Sequence, residues 1–249
     1  WISLALSLER TDEDWLDEFS DTLARLCEYY SINLIGGDTT RGPLSITITA
    51  QGFVPPESIA TRSGAKPGDL LYVTGTLGDA GAGLDILLGK LDCSTLTTLN
   101  SQQQGTIASY LTERHYKPTP RVLAGTALRR MISSCIDLSD GLLGDIQHIM
   151  RASKCGAHIN VESLPISPAL AALVSAEQAF EYALSAGDDY ELCFSLPQKN
   201  TSELELALNA ANVNFTCIGQ IVGGHTLILT HNGNPYQPAG HSFEHQFDS

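Results

Sequence analysis

A short apolar strand, two carboxylates and the start of a helix follow one another in Cys135-Ile136-Asp137-Leu138-Ser139-Asp140-Gly141-Leu142. The strand is expected to end at Asp137, with Asp140 just before the helix. This pair of acids is either an N-cap with a favourable first-turn charge or a pair of cation ligands. Further short strands, at 70–74, 158–161 and 192–196, alternate with helical patterns. This alternation predicts an α/β or α+β fold.

Acidic residues beside small residues recur at three other places. Asp38 follows two glycines, where a strand over 32–35 is expected to end. Asp79 lies in the glycine-rich turn after strand 70–74, and residues 187–191 are Gly187-Asp188-Asp189-Tyr190-Glu191. Ligands gather where the strands of open sheets end, and oxygen-rich clusters suit hard cations such as Mg²⁺. Each place alone also fits a simpler interpretation: a plain turn, a helix start that binds no phosphate, or a solvated acidic loop.

The N-terminal part has its own pattern. Residues 2–8 alternate as a strand with one buried face, and Thr11 is expected to cap a helix whose apolar face packs on a core. A strand over 44–54 follows, then a turn-rich segment at 55–69. We therefore predict two domains, 1–64 and 65–249.

The charge balance excludes some classes of partner. Fourteen Lys and Arg residues stand against 28 Asp and Glu residues, a net charge of -14. Such a chain repels phosphate backbones, so neither nucleic acid nor an anionic membrane is an expected partner. A phosphorylated small molecule remains possible if cations lie between it and the carboxylates.

Common catalytic signatures are absent from the sequence. It has no GxxxxGK[ST] loop, no GxGxxG loop and no Gly-x-Ser-x-Gly elbow. The six cysteines form no CxxC pair, which favours reduced thiols in a cytoplasmic protein over a zinc site or a disulfide framework.

Five blocks, taken together and in this order, resemble the family of thiamine-monophosphate kinases: residues 36–42, 61–69, 73–76, 137–142 and 187–192. That family belongs to the superfamily of aminoimidazole-ribonucleotide synthetase and selenophosphate synthetase. The blocks Asp-Leu-Ser-Asp-Gly-Leu at 137–142 and Arg-Ser-Gly-Ala-Lys-Pro-Gly-Asp at 62–69 are specific to the kinase branch. The resemblance runs from Trp1 to the C-terminus.

The resemblance implies a fold and a reaction. A partial N-terminal barrel-forming domain would precede a C-terminal α/β domain of the aminoimidazole-ribonucleotide synthetase type, in a cytoplasmic homodimer. ATP and several Mg²⁺ ions would lie in the cleft between the domains. The implied reaction converts ATP and thiamine monophosphate to ADP and thiamine diphosphate by direct in-line transfer. The acceptor is an ionised phosphate, so no catalytic base is expected.

The resemblance also implies roles for particular residues. It places Gly37, Asp38, Arg62 and Ser139 at ATP, and Asp38, Asp137 and Asp140 at Mg²⁺. Asp188 and Phe243 would contact thiamine monophosphate, although the family more often has Glu at the position of Asp188.

Two alternatives stay open. Members of the family usually begin with about eighty more residues that carry further acids, so this chain alone is expected to be impaired or inactive. One alternative is therefore a nucleotide-binding remnant without catalysis. The other is another ATP-dependent member of the superfamily, because a fold does not determine a substrate.

Overall fold

The computed structural model describes residues 1–97 and 99–240, which fall into two compact units divided between Pro56 and Glu57. This division precedes the predicted domain boundary at 64/65, which remains a prediction. Within the described ranges, each helix is too short or too polar to span a bilayer.

The first unit is a three-stranded sheet with one helix. Its elements are β1 (Ile2–Leu8), α1 (Glu13–Tyr29), β2 (Leu34–Arg41) and β3 (Ser45–Ala50). Strand β1 is central, parallel to β2 and antiparallel to β3. Phe19 and Leu23 of α1 line a pocket with Leu4 and Leu6 of β1, as the apolar spacing predicts. No residue of α1 is buried, however, so the helix covers the sheet loosely.

Two sequence predictions for this unit were wrong. The strand expected over 32–35 does not end at the glycines, because β2 continues through Gly37 and Asp38 to Arg41. A Cβ on Gly37 would collide with the carbonyl oxygen of Leu4, so glycine permits the close pairing of β1 and β2. The N-cap of α1 is Asp12 rather than Thr11, since the Asp12 carboxylate accepts the Trp15 N–H at 3.2 Å.

The second unit is a seven-stranded sheet with helices on both faces. Its strands are β4 (Leu70–Thr74), β5 (Ser134–Asp137), β6 (Gly156–Asn160), β7 (Leu192–Leu196), β8 (Phe215–Val222), β9 (Leu227–His231) and β10 (Asn234–Pro235). Its helices are α2 (Asp79–Leu87), α3 (Ser101–Tyr116), α4 (Val122–Leu128), α5 (Leu142–Ser153), α6 (Pro168–Leu173), α7 (Ala176–Ser185) and α8 (Thr201–Ala210).

Alternation along the strands gives this sheet two apolar faces. Leu71 and Val73 of β4 belong to a buried cluster with residues of α5 and α7. Tyr72, between them, joins a second cluster with Phe194 of β7 and residues of α4 and α8. Burial of both faces confirms the predicted α/β (α+β) class.

The strand order brings the predicted acidic segments together. It runs β10-β9-β6-β8-β4-β7-β5, and every neighbouring pair is antiparallel except β6 and β9. Asp137, the last residue of β5, pairs with Leu192, the first residue of β7. The segment after β5 therefore lies beside the segment before β7.

Candidate functional site

Two loops from distant parts of the sequence are joined beyond the ends of β5 and β7. The N–H of Leu138 donates to the Glu191 carbonyl oxygen, and that of Tyr190 donates to the Leu138 carbonyl oxygen, both at 2.8 Å. The N–H of Asp188 donates to the Ser139 carbonyl oxygen at 2.9 Å. These bonds continue the β5–β7 ladder and fix the loop 137–141 against the loop 187–191.

The two loops line a pocket of about 570 Å³, whose walls also include α2 and α7. The lining residues are Gly81, Leu84, Asp85, Ser139, Asp140, Tyr182, Ser185, Ala186, Gly187, Asp188 and Tyr190. Three of these described residues are aspartates and none is Lys, Arg or His. A pocket of this charge favours a cationic group, or an anion that arrives with metal ions.

Asp188 and Tyr190 have left-handed backbones, with φ of +67° and +50°. Such conformations are unfavourable for residues other than glycine and persist where the surrounding structure imposes them. The Asp188 side chain is 47% exposed. The Tyr190 hydroxyl donates to Asp188 Oδ1 at 3.3 Å, and burial, followed by the charge of Asp188, raises the pKa of Tyr190.

Asp145 holds the other loop in place. Its Oδ2 accepts the main-chain N–H groups of Ser139 at 2.9 Å and Asp140 at 3.1 Å. Asp145 is buried, and burial raises the pKa of its carboxyl group. Asp137 is exposed, and Ser139 and Asp140 are partly exposed at the pocket. Asp145 therefore shapes the loop, while Asp137 and Asp140 can accept a ligand.

The carboxylate of Glu191 is fully buried and paired with two arginines. Arg121 donates to it from Nε at 2.6 Å and also from Nη2, and Arg114 donates from Nη2 at 3.0 Å. The Thr74 hydroxyl donates to Glu191 Oε2 at 2.7 Å. We call these four residues the Glu191 cluster. They join β4, α3 and the start of α4 to the residue that precedes β7.

Two more acids of the sequence patterns are interior. Asp189 Oδ2 accepts the Gly78 N–H at 2.7 Å, and its Oδ1 accepts the Ala80 N–H at 3.4 Å, at the start of α2. Burial raises the pKa of Asp189 to about 7. Asp79 is also fully buried and accepts hydroxyl hydrogen bonds from Thr76, Ser167 and Tyr110. The Asp189 carboxylate thus already accepts hydrogen bonds from the N–H groups of Gly78 and Ala80 at the start of α2.

Asp137 and Arg62 of the second unit are not among the described residues that line this pocket. In the first unit, Gly37 and Asp38 lie in the middle of β2, and Asp38 is exposed. In the second unit, Arg62 is exposed, and its guanidinium has no hydrogen bond or ion pair to another described residue. Phe243 lies outside the described residues. Across 1–97 and 99–240, no three His, Cys, Asp or Glu side chains are grouped closely enough to enclose a metal ion.

Sequence reasoning did not find Arg114 or Arg121 as partners of the site. Their contacts depend on how α3 and α4 pack, which no local pattern shows. A signal was present for Glu191, because a carboxylate directly before a buried strand needs a partner.

Two family models match the chain. Residues 1–54 match the N-terminal domain, and residues 66–232 the C-terminal domain, of AIR synthase related proteins. The "Thiamine-monophosphate kinase" of Escherichia coli (strain K12) is 49% identical over 246 residues, which are 98% of this chain and 73% of that protein.

Solved structures agree with these matches. The crystal structure of thiamine-monophosphate kinase from Stenotrophomonas maltophilia K279a is 39% identical, with a TM-score of 0.83 over 95% of this chain and 72% of that one. A structure described as AaThiL complexed with AMPPCP and TMP is 27% identical, with a TM-score of 0.75 over 97% of this chain and 72% of that one. The chain therefore belongs to the AIR synthase related proteins, in the branch of the thiamine-monophosphate kinases.

Proposed function

We propose that this chain catalyses transfer of the γ-phosphoryl group of ATP to thiamine monophosphate. A phosphate oxygen of thiamine monophosphate forms the new P–O bond, the bond to the β-phosphate oxygen breaks, and ADP and thiamine diphosphate leave. The observation that carries the proposal is the pocket in which Ser139 and Asp140 of one loop meet Asp188 of the other. The 49% identical relative named as this kinase supports the choice of substrate.

The proposed metal ligands fit Mg²⁺ in their chemistry. Asp137 and Asp140 offer accessible carboxylate oxygens, and Asp38 offers another in the first unit. Mg²⁺ commonly binds through one or two carboxylates and completes its shell with water and substrate phosphates. When bound, several Mg²⁺ ions would neutralise charge on the phosphate oxygens.

The remaining roles concern positioning. Ser139, Gly37 and Arg62 would bind ATP, and the planar guanidinium of Arg62 suits phosphate oxygens. Asp188 would face the thiamine moiety, with Phe243 packing against it. Since the acceptor phosphate is already ionised near neutral pH, catalysis needs in-line alignment and charge neutralisation rather than a base.

Two further features support a homodimer in the cytoplasm as part of this proposal. Every residue of β2 and β3 is exposed, including Ile46 at 44% and Ile48 at 48%. Apolar surface of this kind suits an interface with a second copy. All six cysteines are free, which suits a reducing compartment.

Phosphorus NMR of the chain with ATP, Mg²⁺ and thiamine monophosphate tests the function. The resonances of ADP and thiamine diphosphate should appear together. Asp140→Asn, purified in parallel, serves as the control for a contaminating host kinase and should be strongly impaired. Equal rates for both proteins would contradict the proposal, and no thiamine diphosphate from the unaltered chain would favour the nucleotide-binding remnant instead.

A further inference from the structure

The segment 187–191 has two faces with different surroundings. Asp188 and Tyr190 line the pocket, whereas Asp189 and Glu191 are 3% and 0% exposed in the interior. The left-handed backbone of Tyr190 therefore lies between two interior anchors, and that of Asp188 lies next to one. Asp189 is held at the start of α2, and Glu191 is held by Arg114, Arg121 and Thr74.

Arg121 is the principal partner of Glu191. It binds from Nε and Nη2 to both carboxylate oxygens, and a paired contact of this kind fixes direction as well as distance. Its side chain is 20% exposed and that of Arg114 is 13% exposed, so water screens the interaction little. Removing one partner of a buried ion pair leaves the other charge without compensation.

Helix α3 also connects the interior with the pocket. Arg114 contacts Glu191, and the next residue, His115, lies with Nδ1 3.9 Å from Asp188 Oδ2. Arg114 Nη2 additionally reaches the Asp189 carbonyl oxygen at 3.5 Å. The C-terminal end of α3 therefore contacts Asp188 in the pocket as well as Asp189 and Glu191 in the interior.

We propose that Arg121 and Arg114 are positioning residues for the substrate pocket. By holding Glu191, they impose the left-handed backbone that directs Asp188 and Tyr190 into the pocket. Neither arginine lines the pocket, so both act through the segment. This inference rests on the proposed function, in which Asp188 binds thiamine monophosphate.

The first test is a double-mutant cycle on ligand affinity. Arg121→Lys keeps the charge but loses the paired geometry, and Asp188→Asn removes the pocket charge. By calorimetry, each should raise the Kd for thiamine monophosphate at least about tenfold. The double variant should bind little worse than either single variant, because the arginine acts through Asp188. The Kd for Mg²⁺-ATP should be unchanged. Additive losses, or an equal loss for both ligands, would overturn the proposal.

The second test needs no ligand. In Arg121→Lys, the main-chain amides of Asp188 and Tyr190 should exchange hydrogen at least about tenfold faster, while those of α8 keep their rate. Arg114→Lys, which disturbs a contact to only one of the two Glu191 carboxylate oxygens, should do the same to a smaller extent. Lys117→Gln is the matched control, because it removes an exposed cation beside α3 that pairs with Glu113. Unchanged exchange at 188 and 190 would refute the positioning role. Faster exchange with no effect of Asp188→Asn on the Kd would instead refute the assignment of Asp188 to the substrate.

Discussion

The N–H of Asp188 donates a 2.9 Å hydrogen bond to the carbonyl oxygen of Ser139. Through this bond, a residue proposed to bind thiamine monophosphate is fixed to one proposed to bind ATP. Misplacement of either loop would therefore separate the two substrates, and small errors in alignment are costly in phosphoryl transfer.

Asp140→Asn should weaken the response to Mg²⁺. It removes a charged oxygen ligand while preserving size, so we expect half-maximal activity at an Mg²⁺ concentration at least about tenfold higher. Activity measured across an Mg²⁺ titration gives this value. Asp92→Asn is the control, since Asp92 is an exposed cap of residues 93–95 and Asn also caps well. The same Mg²⁺ response in both variants would contradict the metal role.

Asp188→Asn should raise the KM for thiamine monophosphate about 10- to 100-fold, since a hydrogen bond to a charged group contributes about 1.5–3 kcal/mol. Asn tolerates the left-handed backbone at φ +67°, so the loop should keep its shape. Steady-state kinetics with each substrate varied in turn provide the measurement. The KM for ATP should stay constant, and a rise in both constants would argue against a substrate-specific role.

Asp189 should make stability depend on pH. Burial raises its pKa to about 7, so the folded protein holds this proton more tightly than the unfolded chain. The stability that this proton contributes is present at low pH and is lost as pH rises from about 4 to about 7. The free energy of unfolding changes by up to about 4 kcal/mol over this range.

Urea unfolding at pH 5 and pH 8 can isolate this effect in Asp189→Asn, which has no such proton. The free energy of unfolding of the unaltered chain minus that of the variant should be smaller at pH 8 than at pH 5. A difference that is independent of pH would show that Asp189 keeps an ordinary pKa.

Gly75→Ala should destabilise the second unit strongly. Gly75 has φ +60°, and an added Cβ would lie 2.7 Å from Glu191 Oε2 and closer still to the other carboxylate atoms. We expect a loss of more than about 2 kcal/mol, which combines backbone strain with displacement of a buried charge. Chemical unfolding measures it.

Gly89→Ala is a matched control for that substitution. Gly89 has a similar φ of +70°, but nothing lies within 4 Å of its added Cβ. It should therefore lose about 1–2 kcal/mol, from backbone strain alone. Equal losses at both positions would mean that the Glu191 cluster tolerates displacement.

The sequence predicted those parts of the site that have a local pattern. Strand β4 over 70–74 and strand β7 over 192–196 were predicted at their observed bounds, because apolar runs bounded by turn residues mark buried strands. Placing Asp137 at the end of a strand was likewise confirmed.

Long-range pairing explains what the sequence could not show. Gly37 looked like the end of a strand, yet its lack of a side chain serves the pairing of β1 with β2. Arg114 and Arg121 lie far from Glu191 in sequence, so their convergence depends on helix packing.

Thr11 and Asp12 are both good caps, and sequence alone did not separate them.

Residues 188–191 alternate between pocket and interior, and this limits how such a protein can change its preference for substrates. An insertion or deletion of one residue would exchange the two faces, placing an interior carboxylate in the pocket and a pocket side chain in the core. Insertions and deletions in this segment should therefore be selected against. Evolution of a new specificity here would have to proceed by exchanging side chains at 188 and 190, one position at a time, on an unaltered backbone.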